Sequence, residues 1–176
     1  MINKAIKFAV EAHAGATRKG SDVPFILHPL EAAAIVARLS NDQDLMIAAI
    51  LHDTIEDTDV TYDDIKREFG ARIADLVNHE SEDKTKTWLE RKTHTINTLK
   101  NEPLEVKIVA MGDKLSNMRS MAHDFAAFGN KVWERFNVKD KNLQGWYYRG
   151  LASCFDELKD TAEYAEYNRL VKDVFG

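Results

Sequence analysis

Apolar side chains recur every three or four residues along most of this chain of 176 residues. That spacing is typical of one face of an α-helix. In the first 60 residues it predicts a helix ending near His13, a second helix over Pro29–Leu39, and a third that begins after Asp44 as N-cap. We find no strand-like alternation, internal repeat or interdomain linker. The sequence therefore predicts an all-α fold and a single domain over residues 1–176.

The third predicted helix leads into residues 51–58, with the sequence LHDTIEDT. His52 falls on the apolar face of that helix and is predicted to point inward, with Asp53 at the edge of the same face. If the helix continues, Glu56 and Asp57 lie on the side of Asp53. Because an unpaired buried carboxylate costs several kcal/mol, a metal ion is the natural compensation for this cluster.

Two residues elsewhere in the sequence are candidates to complete such a site. His28 directly precedes Pro29, and proline is favoured at the first helical position, so His28 is predicted to be the N-cap of the second helix. Asp113 lies on the apolar face of a helix opened by Pro103, and Asn117 follows on that face one turn later. A carboxylate and an amide where the periodicity requires apolar residues again indicate a site.

In this order, these residues resemble the H…HD…D signature of the HD-domain metal-dependent phosphohydrolases. The flanking sequence is similar to a narrower group, the hydrolase domain of the RelA/SpoT homologues, which degrade the alarmone (p)ppGpp. The segments that carry the similarity are RKG (18–20), PFILHPLE (24–31), LHDTIEDT (51–58), FG (69–70) and DKLSNMR (113–119). The match runs from about residue 13 to 119, and residues 120–176 resemble the helices that complete the bundle in stand-alone small alarmone hydrolases.

The resemblance implies a helical bundle with a metal site between its helices. Mn²⁺ is the metal it implies, and other divalent transition metals stay open from the sequence. Mixed nitrogen and oxygen ligands from three helices suit a six-coordinate ion better than a closed zinc site. The implied metal ligands are His28, His52, Asp53 and Asp113.

The resemblance also implies the reaction, which is hydrolysis of the 3′-pyrophosphate to give GDP or GTP and pyrophosphate. It gives Glu56 and Asp57 the role of activating and positioning water. Arg18 and Lys19 would line the nucleotide pocket, with the arginine against the guanine base, and Asn117 would bind the ribose.

Two other functions stay open on the sequence. The same metal ligands would serve an HD nucleotidase or phosphatase acting on another nucleotide such as NADPH, or an HD scaffold that senses a nucleotide without catalysis. Retention of both Glu56 and Asp57 argues against a sensor, because a binding module needs no water-activating pair. The chain departs from the family at Met111-Gly112 and at residues 78–80, and His79 could there alter base preference.

Residues 80–91 are the most polar part of the chain and predict a loop leading into a helix that starts near Thr87. The charges at 82–84 and at Arg91-Lys92 are interpreted as solvated surface, with contacts to phosphate or metal-bound water as the alternative.

The composition of the chain limits the classes of partner that it can bind. The formal net charge of −5 argues against a nucleic-acid backbone as the main partner. Apolar runs are far shorter than the ~18 residues of a membrane span, and no signal peptide is seen. The single cysteine, Cys154, lies on an apolar stripe and is predicted to be buried, which suits a reducing compartment. We therefore expect a cytoplasmic protein that binds neither nucleic acid nor membrane. The resemblance implies a guanosine nucleotide as its small-molecule partner, and the oligomeric state stays open.

Overall fold

The computed structural model describes residues 1–80 and 83–176, so Glu82 of the predicted charge cluster lies outside the described residues. The all-α prediction is confirmed, because the described residues form helices and no β-strand, apart from an isolated bridge between Thr17 and Pro24. The α-helices are α1 (Ile2–Ala12), α2 (Leu27–Leu39), α3 (Gln43–Leu51), α4 (Thr54–Asp57), α5 (Tyr62–Phe69), α6 (Ala71–Glu80), α7 (Trp88–Leu99), α8 (Leu104–Phe128), α9 (Lys141–Ala152) and α10 (Ala162–Phe175). Two 3₁₀ helices, η1 (Gly129–Arg135) and η2 (Asp156–Leu158), connect the last of them.

Helix α8 is the centre of the bundle. It packs most extensively against α2, which in turn packs against α3, and α10, α3 and η1 also contact α8. Buried apolar residues from the N-terminal and C-terminal helices form one core cluster, which includes Ile35, Leu51, Met111, Leu151 and Tyr167. Cys154 lies in this core, as its position on an apolar stripe predicts. None of the described helices combines the length and apolar character needed to cross a membrane.

Helices α2 and α8 approach closely because Gly112 has no side chain. A Cβ at this position would lie 2.7 Å from the carbonyl oxygen of Ala32 and 2.8 Å from a methyl group of Val36. The contact with Ala32 is to backbone, which cannot move away as the end of a side chain can. A glycine at position 112 is therefore what allows α2 and α8 to approach this closely.

Gly112→Ala is expected to destabilise the protein by about 1–3 kcal/mol, since overpacking forces the two helices apart. Chemical denaturation of the purified variant would measure this loss. Gly150→Ala is the matched control, because its Cβ would meet only the flexible Ile96 side chain, whose Cδ1 lies 2.5 Å away. Equal losses for the two variants would contradict the assignment of a tight backbone contact at Gly112.

The predicted helix starts need two corrections. Helix α2 begins at Leu27 with Ile26 as N-cap, so His28 lies inside the first turn and is not the cap. Proline is tolerated there because the N–H groups of the first turn have no partner within the helix. Helix α3 is capped by Asp42, whose side chain accepts from the Asp44 N–H, and Asp44 lies in the first turn.

The helix of the LHDTIEDT segment does not run on. Helix α3 ends at Leu51, His52 and Asp53 form a turn, and the single-turn helix α4 follows. Thr54, at the start of α4, donates through its hydroxyl to the Leu51 carbonyl at 2.7 Å, which closes this turn. Helix α7, by contrast, begins where the sequence predicts, with a capping box between Thr87 and Glu90.

Candidate metal centre and adjoining cavity

Four polar side chains from three parts of the bundle converge in its interior. His28 comes from α2, His52 and Asp53 from the turn after α3, and Asp113 from the middle of α8. His28 Nε2 lies 3.1 Å from Asp113 Oδ1 and 3.5 Å from Asp53 Oδ2. His52 Nε2 lies 3.0 Å from Asp53 Oδ2 and 3.6 Å from Asp113 Oδ1. The structure thus brings together all four residues that the resemblance implies as metal ligands.

The backbone fixes the tautomer of His52. Its Nδ1 lies 2.8 Å from the carbonyl oxygen of Ala49, so Nδ1 carries the proton and donates it. Nε2, which carries the lone pair of the neutral ring, then faces the carboxylates of Asp53 and Asp113 at 3.0 and 3.6 Å. Acceptors that face one another in a buried site require a positive charge between them.

The charges of the cluster point to the same requirement. Burial opposes a charge on His52, but the carboxylates of Asp53 and Asp113 outweigh it and raise the pKa of this imidazole well above 6.5. Burial likewise favours the neutral form of Asp113, yet the Lys114 ammonium and the two imidazoles hold the pKa of this carboxyl well below its usual value. In the absence of a cation, a proton on His52 would supply the positive charge.

The geometry fits one divalent ion. Ligand atoms about 2.1 Å from a common ion and at about 90–110° to one another lie about 3.0–3.4 Å apart. The nitrogen–oxygen distances of the cluster span 3.0 to 3.6 Å. The ligating atoms of His28, His52 and Asp113 all lie within 4.8 Å of one another. Two imidazoles and two carboxylates suit a borderline divalent cation and leave coordination positions for water.

A cavity of about 610 Å³ adjoins the cluster. His28, Asp53 and Asp113 lie in its wall, and so do Glu56 and Asp57. A larger cavity, of about 780 Å³ between α6, α7 and α8, contains none of the four cluster residues. The smaller cavity is therefore the candidate for substrate binding, because three of the four cluster residues lie in its wall.

The acidic pair follows the cluster on α4. Glu56 is half-buried and Asp57 is exposed, and both side chains border the cavity. Lys84 bridges them: its Nζ donates to Asp57 Oδ1 at 2.8 Å and to the Glu56 carbonyl oxygen at 2.7 Å. Lys84 Nζ also lies 3.8 Å from Glu56 Oε1. The lysine of the polar segment thus contacts the acidic pair.

Arg18, Lys19 and Asn117 also line this cavity. The Arg18 guanidinium donates to Asn117 Oδ1 at 2.8 Å, and Asn117 Nδ2 donates to Asp113 Oδ1. Lys19 donates to Asn137 Oδ1 at 3.1 Å and sits over the Phe136 ring, 5.9 Å from its centre. Cationic and aromatic side chains of this kind are suited to bind a nucleobase and a phosphate group.

Among the other cavity residues, Lys114, Tyr148 and Arg135 were given no role from the sequence, whereas His13 was interpreted as a histidine at the edge of the core or in support of the site. Lys114 pairs with Asp113 and lies 3.4 Å from Glu80 Oε2, and Tyr148, Arg135 and His13 border the same space. The adjacent Asp113 and Lys114 could have indicated Lys114 from the sequence, because neither a lysine nor an aspartate suits the buried face of a helix. Arg135 follows a segment with irregular apolar spacing, and no pattern in the sequence places it at the cavity.

Comparison with protein families gives a match over most of the chain. A family model described as HD domain matches residues 5–139. The mouse guanosine-3′,5′-bis(diphosphate) 3′-pyrophosphohydrolase MESH1 is 36% identical over 121 residues, which are 67% of this chain and 68% of that protein. The Aquifex aeolicus enzyme named guanosine-3′,5′-bis(diphosphate) 3′-pyrophosphohydrolase is 50% identical over 76 residues, or 43% of this chain and 11% of that enzyme.

Some relatives are much longer than this chain. A chloroplast protein of Arabidopsis thaliana named as a GTP diphosphokinase, RSH1, is 36% identical over 136 residues, and the match spans 69% of this chain but 15% of that protein. The similarity to the long relatives is therefore confined to one part of each of them.

Two solved structures share the fold. The protein lmo0812 of Listeria monocytogenes EGD-e superimposes with a TM-score of 0.74 at 37% identity, over 84% of this chain and 93% of that one. The structure of a metazoan orthologue of SpoT that hydrolyses ppGpp gives a TM-score of 0.78 over 97% of this chain and 93% of that one. At 23% identity, the second likeness concerns the fold alone.

Proposed function

The chain belongs to the HD domain family, and from this premise we propose that it is a metal-dependent phosphohydrolase that removes the 3′-pyrophosphate of guanosine alarmones. The products would be GDP or GTP and pyrophosphate. The observation that carries the proposal is a cluster of two imidazoles and two carboxylates beside a cavity. Three of the four side chains lie in the cavity wall, which also holds an acidic pair and basic side chains. Relatives with the name guanosine-3′,5′-bis(diphosphate) 3′-pyrophosphohydrolase support this choice of substrate.

We propose that His28, His52, Asp53 and Asp113 hold the ion, and that it is Mn²⁺. A divalent cation bound there lowers the pKa of bound water and polarises a phosphoryl oxygen. The metal identity rests on the resemblance to RelA/SpoT hydrolase domains, and the mixed nitrogen and oxygen set is compatible with it.

Glu56 and Asp57 would deprotonate and orient the attacking water. In this scheme the water oxygen bonds to the phosphorus attached to the 3′ oxygen, and Glu56 accepts the proton that the water loses. The bond between that phosphorus and the 3′ oxygen breaks, and the 3′ oxygen leaves as a hydroxyl after taking up a proton. Asp57 would orient the water. Lys84, whose Nζ lies 2.8 Å from Asp57 Oδ1, would fix the position of the Asp57 carboxylate.

The part of the cavity lined by Arg18, Lys19 and Asn117 would hold the nucleoside. Arg18 is placed to stack on the base, and Lys19 to neutralise a phosphate group. Asn117 links the two regions, since it accepts from Arg18 and donates to Asp113. A ribose hydroxyl that replaces the Arg18 contact would therefore sit one hydrogen bond away from the metal cluster.

We also propose that residues 1–176 act as a single domain in the cytoplasm on a small-molecule nucleotide. The net charge of −5 and the single buried cysteine support this setting, and neither a nucleic acid nor a membrane is required.

The test is pyrophosphate release from Mn²⁺-loaded protein offered ppGpp, with NADPH and deoxynucleotides in parallel. We expect release from ppGpp to be at least about tenfold faster than turnover of the others, a difference of about 1.4 kcal/mol in transition-state stabilisation, and to stop when a chelator is added. Turnover of another nucleotide with inert ppGpp would overturn the substrate. Tight nucleotide binding without any turnover would overturn catalysis itself.

A further inference from the structure

The second ring nitrogen of His28 is held by a side chain from another helix. His28 Nδ1 lies 2.8 Å from Ser116 Oγ, and Ser116 Oγ lies 2.7 Å from Glu31 Oε2. A carboxylate can only accept hydrogen bonds, so the Ser116 hydroxyl donates to Glu31. The Ser116 oxygen is then left to accept from His28, and Nδ1 must carry the proton.

This arrangement leaves the Nε2 lone pair of His28 free in the cluster. Nε2 is the atom that lies 3.1 Å from Asp113 Oδ1 and 3.5 Å from Asp53 Oδ2. His28 and Ser116 are 4% and 1% exposed, so water has little access to replace the hydroxyl. A partner on the remote nitrogen fixes both the tautomer and the orientation of a metal-binding imidazole.

Glu31 is itself held by Arg119 of α8, which Glu166 of α10 holds in turn. Arg119 Nη1 donates to Glu31 Oε1 at 3.1 Å, while Nε and Nη2 of the same guanidinium donate to the two carboxylate oxygens of Glu166 at 2.8 and 2.7 Å. This pairing lowers the pKa of Glu166, the hydrogen bond from Arg119 being the largest cause. A continuous series of polar contacts therefore runs from α10 through α8 and α2 to His28.

The two histidines differ in how they are held. The remote nitrogen of His52 donates to a backbone carbonyl, that of Ala49, which no side-chain substitution removes. The remote nitrogen of His28 depends on the Ser116 hydroxyl. The orientation of His28 can therefore be disturbed without changing any of the four proposed ligands.

We infer that Ser116, backed by Glu31, is a positioning residue that presents His28 Nε2 to the metal. The inference rests on the metal site of the proposed function and concerns neither the nucleotide nor the acidic pair. It assigns Ser116 a role in metal affinity, in addition to packing between α2 and α8.

Ser116→Ala is the first test, with Mn²⁺ affinity measured by competition with a chelating dye. We expect binding about 10–100-fold weaker than in the wild type, as for other partners of metal-bound histidines. Ser116→Thr keeps the hydroxyl and is expected to restore most of the affinity. Ser153→Ala is the matched control, because that exposed serine donates to its local carbonyl at Gly150 and does not line the cavity.

A spectroscopic signal separates positioning from general stability. In wild-type protein loaded with diamagnetic Zn²⁺, the buried His28 Nδ1 proton is expected to exchange slowly and give a downfield ¹H NMR signal. Ser116→Ala should remove or broaden that signal while the His52 signal stays. Glu31→Gln is the second variant, since its amide oxygen can still accept but the charge is gone. It should weaken Mn²⁺ binding less than Ser116→Ala does, and it keeps the test open if the alanine variant fails to fold.

Unchanged Mn²⁺ affinity in folded Ser116→Ala would overturn the inference, as would a persistent His28 proton signal. Wild-type protein that binds no Mn²⁺ would overturn it together with the metal site. Weakened Mn²⁺ binding in the variant, with no ppGpp turnover in the wild type, would uphold the inference and refute the proposed function.

Discussion

Replacing Glu56 by Gln is expected to slow pyrophosphate release from ppGpp by about 10²–10⁴-fold, the range typical of a lost general base. Glutamine keeps the size and shape of the side chain but cannot take a proton from water. Glu56 is half-buried in the cavity wall and lies outside the four-residue cluster, so Mn²⁺ affinity is expected to stay near the wild-type value. Steady-state turnover and Mn²⁺ titration on the same preparation would measure both quantities.

Glu11→Gln is the control for Glu56→Gln, because Glu11 is exposed on α1 and does not line this cavity. It should leave turnover and metal binding unchanged. Full activity in Glu56→Gln would assign the base to another residue. Lost Mn²⁺ binding would make Glu56 a ligand and would undermine its assigned catalytic role.

The contact of Lys84 with both acidic residues suggests that they act as a unit. Its Nζ lies 2.8 Å from Asp57 Oδ1 and 3.8 Å from Glu56 Oε1. Residues that act together give strongly non-additive losses. The double variant Glu56→Gln, Asp57→Asn is therefore expected to be little slower than Glu56→Gln alone, and multiplicative losses would show independent roles.

Much of the cluster could be predicted from the sequence because its residues break a periodic pattern. His52 and Asp113 stand where the helical repeat requires apolar side chains, and the structure places both in the interior. Burial against the pattern has a physical cost, which a metal ion can offset. His28 was identified by its position before Pro29 and by resemblance, and the cap assigned to it was wrong although its place beside the cluster was right.

The contacts that cross the bundle could not be predicted in this way. Lys84 lies in a polar segment without periodicity, and nothing local indicates that it reaches Asp57, 27 residues earlier. Ser116 and Glu31 are 85 residues apart, and each alone is an ordinary helix residue. Pairings of this kind depend on how the helices pack, which hydrophobic spacing constrains only through the faces it buries.

The predicted start of α3 was wrong for a different reason. Asp42 and Asp44 are both good N-caps by residue type, and local preference does not separate them. In the fold, Arg72 from α6 pairs with both carboxylates, at 2.7 Å from Asp42 and 2.8 Å from Asp44, while the Asp42 side chain alone accepts from the helix backbone. Because Arg72 contacts both carboxylates, only the hydrogen bond from the Asp44 N–H to Asp42 distinguishes the cap, and residue type does not predict that bond.

Asp53→Asn is expected to remove the stabilisation that Mn²⁺ gives to the fold. An ion that binds only the native state at 100 times its dissociation constant adds about 2.7 kcal/mol to the unfolding free energy. For a domain of this size that corresponds to a rise in Tm of roughly 5–10 °C. Asp53 contributes one of the two carboxylates in the cluster and lies 3.0 Å from His52 Nε2 through Oδ2. The amide has nearly the same shape but lacks the charge that offsets the cation.

The measurement is the melting temperature of wild type and Asp53→Asn with and without Mn²⁺ at equal concentration. Asp160→Asn, an exposed aspartate near the start of α10, is the control and should keep the full rise. Asparagine is nearly isosteric with aspartate and leaves no cavity, and the Asp53 side chain is 22% exposed, so the metal-free variant should fold. A variant that retains the Mn²⁺-dependent rise would exclude Asp53 as a ligand. If no divalent cation stabilised the wild type, the proposed metal centre would be refuted. The two imidazoles and two carboxylates, whose nitrogen–oxygen distances are 3.0 to 3.6 Å, would then be held together by protons alone.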